Sequence, residues 1–166
     1  MKKIYLEFYS QQTRKLHEDV FNNISLDDVP YIIYEAPYYI LHPDILIGRL
    51  DHKKTFGFLR QELEDIYIDQ RYLLDAMHDD IVLVKEGVEP KVIEVVERAL
   101  KVLIATVKKN KVGLFFDADT YSDRRLEAKV TPELVVGHVV KLAVESIDQF
   151  SIYAHVSKII GHVNDP

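Results

Sequence analysis

Short β-branched and aromatic segments, each bounded by turn residues, fill the chain from residue 45 onward and are its strongest constraint on fold. A first series of five covers residues 45–51, 55–61, 65–69, 80–85 and 91–97. Residues 71–77 can form a helical turn after the third of these segments. A second, less regular series of five covers residues 102–108, 112–117, 126–130, 139–145 and 151–160. Such short runs between turn signals predict β-strands.

Five short strands with a helical turn after the third follow the element order of a small Greek-key OB barrel. The sequence therefore predicts a mainly β protein with two tandem five-stranded OB-fold barrels, at residues 45–98 and 99–166. Residues 1–44 precede them as a small α or α+β module, such as a trimmed winged helix. Apolar residues at three- and four-residue steps predict helix over residues 1–24, with a break after which Thr13 caps a second helix. Residues 31–41 predict a hairpin that turns at Ala36-Pro37.

The composition excludes several classes of protein. The 166 residues are 48% hydrophobic and 29% charged, which is typical of a soluble globular chain. No apolar run reaches the ~18 residues of a membrane helix, and the absence of Cys excludes disulfides and zinc–thiolate sites. The N terminus lacks a secretion-signal pattern, so a cytoplasmic location is expected. Because the net charge is −6, nucleic-acid binding requires a local basic stripe, and residues 49–60 supply one. Its members are Arg49, His52, Lys53, Lys54 and Arg60.

The segments 54–59 (KTFGFL) and 65–69 (DIYID) carry the functional prediction. Side chains alternate between the two faces of a strand, so Phe56 and Phe58 share one face while Leu59 faces the barrel interior. In the next strand Tyr67 joins the two Phe rings if Ile66 and Ile68 point inward. Exposed rings bordered by cations suit single-stranded nucleic acid, because bases stack on the rings and phosphates pair with the cations. We expect Lys54, Arg49 and Arg60 to border the rings. The simpler alternative is that the two Phe side chains point inward and belong to the barrel core.

Several motifs, taken in order, resemble a known family. Residues 54–59 and 65–69 resemble the two ribonucleoprotein motifs of cold-shock domains. The segment 76–84 (AMHDDIVLV) resembles a segment of bacterial RNase R, a member of the RNase II/RNB exoribonuclease family. Residues 97–99 (ERA) resemble that family's link between two cold-shock domains, and residues 160–166 (IGHVNDP) resemble the segment before its catalytic domain. The resemblance covers residues 45–166 and is weakest over 112–150.

The resemblance implies that this chain is the RNA-binding part of a processive 3′→5′ exoribonuclease. Such an enzyme uses clustered Asp residues and a divalent metal, usually Mg²⁺, in a catalytic domain expected to begin after Pro166. The chain itself is then expected to bind single-stranded RNA without cutting it and to hold no cofactor. Its partners would be the RNA and the parent's own catalytic domain in cis.

Three departures from the family pattern affect the site. Asp79 stands where the family usually has Gly, and His52 lies near a position that cold-shock proteins often give to an aromatic residue. In the second barrel, residues 111–116 (KVGLFF) are a degenerate copy of the first motif. There alternation leaves one ring outside, that of Phe115, and Lys109 and Lys111 are expected to contribute to a phosphate-binding rim together with Lys108, Arg124 and Arg125.

Two other functions remain open on sequence grounds. The exposed rings would also suit an OB-fold module that docks onto another protein, and a stand-alone cold-shock-type RNA-binding protein would carry the same motifs. Catalysis by this chain would need an Asp cluster that the sequence lacks. Residues 117–123 alternate carboxylates as a calcium loop does, but the Gly and Glu that complete such a loop are missing, so no metal is expected.

Overall fold

The computed structural model describes residues 3–118 and 124–165. They form a mainly β protein in two compact units, residues 1–99 and 100–166. The predicted class, OB-fold barrels after a small N-terminal module, is confirmed, while the predicted domain boundaries stay a prediction. None of the helices in the described part of the chain is long and apolar enough to cross a membrane.

The described part of the N-terminal module combines an α-helix and two 3₁₀ turns, Glu18–Val20 and Leu26–Asp28, with a three-stranded sheet. Helix α1 covers Lys3–Ser10, and the strands are β1 (Lys15–His17), β2 (Ile32–Glu35) and β3 (Tyr38–Leu41), in the order β1-β3-β2. The hairpin predicted at residues 31–41 is present, and its turn contains a cis Ala36-Pro37 peptide bond.

The helix predicted over residues 1–24 is wrong beyond Ser10. The backbone of Gln12 takes a positive φ of 51°, which a continuing helix does not allow. Thr13 does not cap a second helix; its hydroxyl donates to the Lys15 carbonyl over 3.1 Å. Leu16 then pairs with Tyr39 in the sheet and is buried. Pairing with the hairpin thus overrides the helical spacing of these apolar residues.

The same module packs onto the first barrel through a shared core. Ile4, Tyr5 and Phe8 of α1 are buried in one cluster with Ile45 and Leu83 of the barrel. Burial raises the pKa of Tyr5 to about 12, although its hydroxyl accepts a hydrogen bond from a backbone N–H. The helix therefore stabilises the barrel that carries the candidate site.

The first barrel has five antiparallel strands and the predicted element order. Strands β4 to β8 pair in the order β6-β5-β4-β7-β8, around a core that includes Leu50, Leu59 and Ile68. The predicted helical turn is shorter than expected, a 3₁₀ turn over Gln70–Tyr72 that Asp69 caps. The strand bounds are β4 Ile45–His52, β5 Phe56–Leu59, β6 Ile66–Asp69, β7 Ile81–Lys85 and β8 Lys91–Glu97.

The second unit also has five strands, but its third strand pairs with its fifth instead of its second, and its fourth and fifth strands are longer than those of the first barrel. The order β10-β9-β12-β13-β11 places β11 parallel to β13, and Leu103, Val107 and Leu142 are among its buried residues. Strand β10 begins two residues later than predicted, because Asn110 Oδ1 accepts from the Val112 and Gly113 N–H groups and holds these residues in a turn. The strand bounds are β9 Val102–Lys109, β10 Leu114–Asp117, β11 Arg125–Ala128, β12 His138–Ile147 and β13 Ser151–His162.

Candidate nucleic-acid interface

Strands β5 and β6 carry three aromatic side chains on one face of the first barrel. Phe58 pairs directly with Tyr67 across the two strands, while Gly57 pairs with Ile68 and Leu59 with Ile66. Leu59 and Ile68 are fully buried, whereas Phe56 and Phe58 are half-buried and Tyr67 is 52% exposed. The alternation predicted from the sequence is therefore present. We call the three rings of Phe56, Phe58 and Tyr67 the aromatic platform.

The rings of the platform contact one another. Phe56 and Tyr67 are nearly parallel, with centroids 5.6 Å apart and 28° between their planes. Phe58 meets both edge-on, at 5.6 Å from Phe56 and 5.9 Å from Tyr67. These separations lie in the favourable range for aromatic pairs. Each ring thus fixes the orientation of the other two, so the platform has a defined shape.

Gly57 lies between the two Phe residues because the barrel interior is crowded behind it. A Cβ at this position would come within 3.1 Å of Leu50 Cδ1 and of Leu73 Cδ2, and within 3.3 Å of the Asp51 carbonyl oxygen. These contacts are tighter than normal packing, and two of the three atoms belong to the core. A larger residue would therefore require the neighbouring core side chains to shift by a few tenths of an ångström.

A carboxylate that no sequence motif indicated lies beside the platform. Asp51 pairs with Phe58 across β4 and β5, so it shares the face of the rings. Arg60 Nη2 donates to Asp51 Oδ2 over 2.7 Å, and Lys53 Nζ lies 3.3 Å from the same oxygen. On the other oxygen, His78 Nδ1 lies 3.5 Å from Asp51 Oδ1. We call these four residues the Asp51 cluster.

Opposing effects set the ionisation of Asp51. Burial of the carboxylate raises its pKa, but the hydrogen bond and charge of Lys53 and the charges of Arg60 and His78 outweigh this effect. The pKa of Asp51 therefore lies below its ordinary value, and the group is ionised at neutral pH. An ionised Asp51 holds the cations of Lys53 and Arg60 at the edge of the aromatic platform.

Arg49 and Arg60, both predicted, lie on this edge. Arg60 Nη1 also donates to Asp65 over 2.6 Å, so its guanidinium bridges two carboxylates. Arg49 Nε lies 3.8 Å from Asp79 Oδ1 in a cleft that the Asp51 cluster also lines. Asp79 has a φ of +69°, so it adopts at this turn the left-handed conformation that Gly favours.

His52 and Lys54 form the turn between β4 and β5. The Lys54 N–H donates to His52 Nδ1 over 3.0 Å, and the His52 N–H donates to His78 Nδ1 over 3.1 Å. His52 is half-buried, as Phe56 and Phe58 are. Lys54 is exposed, and within residues 3–118 and 124–165 no carboxylate lies at ion-pair distance from its ammonium group.

In the second barrel Phe115 and the three predicted lysines lie at one end of the β9–β10 hairpin, whereas the predicted Arg124 and Arg125 lie at the start of β11. Phe115 is 37% exposed and pairs with Lys108, which forms an ion pair with Asp117. Lys109 ends β9 and Lys111 lies in the turn that follows, and both are exposed. Phe115 is the more exposed of the two rings of the degenerate motif, and Phe116 is half-buried.

The described residues offer no metal centre. No group of three or more His, Asp or Glu side chains within residues 3–118 and 124–165 is arranged to hold an ion. Most of the segment 117–123, with its alternating carboxylates, lies outside the described residues.

Comparison with known proteins finds a family model that matches part of the first barrel. The family model of the ribonuclease B OB domain matches residues 50–89, a range that contains the whole aromatic platform and the Asp51 cluster. No curated protein matches the chain.

Two solved structures are similar in fold. The first is Mycoplasma genitalium RNase R in complex with ribose methylated single-stranded RNA, at 19% identity and a TM-score of 0.56. The second is the apo form of the same RNase R, at 20% identity and a TM-score of 0.54. In both, the similarity covers 73% of this chain and 22% of the RNase R chain, so this protein spans only a small part of the length of that enzyme. The match over residues 50–89 and the similarity in fold confirm the predicted resemblance to the N-terminal OB region of the RNase R and RNase II family.

Proposed function

We propose that this chain binds single-stranded RNA as the RNA-capturing region of an RNase R-like 3′→5′ exoribonuclease. The observation that carries the proposal is the half-exposed aromatic platform of Phe56, Phe58 and Tyr67 beside the cations of the Asp51 cluster. It lies within the residues that match the ribonuclease B OB domain, and a structure of similar fold is an RNase R bound to single-stranded RNA. Both findings support the proposal without assigning any residue a role in binding.

In the proposed interaction, bases stack on the platform while phosphates contact the surrounding cations. Each stacked base contributes ~1–3 kcal/mol and needs no particular sequence, because every base has an aromatic face. Lys53 and Arg60 are already held by Asp51, so they lose little conformational freedom when a phosphate arrives. Lys54 and Arg49 add charge on the same edge of the barrel. The result is a site for single strands that does not discriminate strongly among sequences.

The proposal extends to the parent enzyme. The chain would act in the cytoplasm as a cold-shock-like binding region, delivering RNA to a catalytic domain in cis that uses Asp residues and Mg²⁺ to hydrolyse the strand. In the second barrel, Lys109, Lys111 and Phe115 would add weaker contacts. On this account the chain alone captures RNA and does not degrade it.

Titration of labelled oligo(A) at two salt concentrations tests the proposal. Phe56→Ala should weaken binding by roughly 1–3 kcal/mol, since it removes a stacking surface. Lys54→Ala should instead reduce the salt dependence by about one released ion. The matched control is Lys85→Ala, an exposed lysine at the end of β7, outside the platform and the Asp51 cluster.

Two outcomes would overturn the proposal. Wild-type binding that is absent, or that does not change with salt, would favour the alternative of an OB-fold module that docks onto a protein. Equal affinities of wild type, Phe56→Ala and Lys54→Ala would place any RNA site elsewhere on the chain.

A further inference from the structure

The hairpin between β12 and β13 presents an aromatic ring that no sequence motif indicated. Phe150 is 68% exposed, more than any other Phe or Tyr among the residues that the structure describes. The following residues, Ser151 and Ile152, are buried in the second barrel. The chain thus enters the core immediately after Phe150, while the ring itself stays in solvent.

The tip of this hairpin is rigidly held. Asp148 Oδ1 accepts from the Phe150 and Ser151 N–H groups, each over 2.8 Å, and the Asp148 N–H donates to the Ser151 carbonyl over 3.0 Å. Hydrogen bonds from these two backbone N–H groups, with smaller contributions from Tyr153 and Arg124, lower the pKa of Asp148. An exposed ring on such a fixed turn is oriented before any ligand binds, which reduces the entropic cost of binding.

Two arginines at the start of β11 lie against the same turn. Arg124 Nη1 donates to the Asp148 carbonyl over 2.9 Å, and the Arg125 N–H donates to the Phe150 carbonyl over 2.9 Å. Arg125 is exposed, and no carboxylate of the described residues lies at ion-pair distance from its guanidinium. The carboxylate of Asp148 accepts from the turn's own N–H groups and also interacts with the charge of Arg124. The protruding ring is therefore accompanied by the guanidinium of Arg124 at the turn and by the exposed Arg125 next to it in the chain.

We propose that Phe150, with Arg124 and Arg125, forms a second binding site for single-stranded nucleic acid on the second barrel, separate from the β9–β10 hairpin. A base would stack on the Phe150 ring and the adjacent phosphates would contact the two guanidinium groups. The loop between the fourth and fifth strands is a position from which OB folds contact oligonucleotides. A protein partner would instead favour a contiguous apolar patch, whereas Phe150 is flanked by Gln149 and the arginines.

This inference rests on the proposed function only because both sites are proposed to bind single-stranded nucleic acid. Because the chain contains no Trp, Phe150→Trp introduces a single fluorophore at the site in the intact protein. Oligo(U) should quench this indole on binding. The matched control is Val88→Trp, which puts an indole at a fully exposed position in the β7–β8 turn and should not respond. Phe150→Ala should raise the Kd for oligo(U) about 5-fold or more, and Phe150→Tyr should bind as wild type does.

The outcomes separate this inference from the proposed function. If the indole is unquenched and Phe150→Ala binds as tightly as wild type, while Tyr67→Ala binds weakly, the second site is refuted and the aromatic platform stands. If the indole is quenched while Phe56→Ala and Tyr67→Ala bind normally, the second site is supported and the platform fails. Equal quenching of both indoles would reflect non-specific contact and would also refute the second site.

Discussion

Replacement of Tyr67 by Ala should weaken RNA binding and should lower the stability of the first unit by a similar free energy. The ring is 52% exposed, so about half of its surface is available to a base. A stacked base contributes ~1–3 kcal/mol, and since 1.4 kcal/mol is a factor of ten, the Kd should rise about 5- to 150-fold. The variant also loses two ring contacts within the platform, each of which stabilises by ~0.5–1.5 kcal/mol. The free energy of unfolding of the first unit should therefore fall by about 1–3 kcal/mol.

Fluorescence anisotropy of labelled oligo(A) measures the affinity, and urea unfolding measures the stability. Tyr67→Phe keeps the stacking face and should bind as wild type does. Tyr34→Ala is the matched control, because Tyr34 is 41% exposed in the β2–β3 hairpin and lies outside the platform. Wild-type affinity of Tyr67→Ala, or equal losses in Tyr67→Ala and Tyr34→Ala, would refute the stacking argument.

Two further predictions concern stability. Asp80 is fully buried and accepts hydrogen bonds from Arg98 Nη1, over 3.0 Å, and from the Met77 and Ala99 N–H groups. Asp80→Ala should therefore lower the free energy of unfolding, measured in urea, by roughly 3 kcal/mol. A change smaller than the precision of the measurement would contradict this role of Asp80. Because the pKa of Asp51 is lowered in the folded chain, its contribution to stability is present above the ordinary value of 3.8 and is lost as pH falls through the folded pKa. The unfolding free energy of wild type should therefore fall more steeply on acidification in this range than that of Asp51→Asn, and parallel curves would show that the Asp51 cluster does not act as described.

The motif segments that carry the family resemblance meet at one buried carboxylate. Residues 76–84 contain Asp80. Residues 97–99 contain both of its donors in this segment, the Arg98 side chain and the Ala99 N–H. Arg98 also reaches Asp75, with Nη2 3.0 Å from Oδ2. The two segments thus complete one hydrogen-bonded network at the end of the first barrel.

Much of the fold could be predicted because the strands follow a two-residue period. The inward position of Leu59 and Ile68 and the outward position of Phe56, Phe58 and Tyr67 follow directly from that alternation. The helix predicted beyond Ser10 failed because Leu16 and its neighbours have helical spacing, and only pairing with the hairpin decides their conformation. That pairing is a long-range contact, which local periodicity does not contain.

The candidate site was predicted only in part, because some of it also depends on contacts between residues that the local pattern does not reveal. Asp51 is an isolated acid in a basic stretch, and its role depends on Arg60 and Lys53 meeting at its carboxylate. A signal was available, since Asp51 is two residues from Arg49 and so shares its face of the strand. Phe150 offered no such pattern, because a single aromatic residue in a turn has no periodicity from which its exposure can be predicted.

An NMR titration of the isotope-labelled chain with short oligo(A) shows directly whether RNA binds on the aromatic platform. If single-stranded RNA binds on the aromatic platform, the largest shift changes in the first unit should fall on β5 and β6, including the ring signals of Phe56, Phe58 and Tyr67. The β2–β3 hairpin, which carries Tyr34 and Tyr39, should change little and serves as the internal reference. Saturating RNA that shifts other parts of the chain and leaves the three rings unchanged would contradict the account.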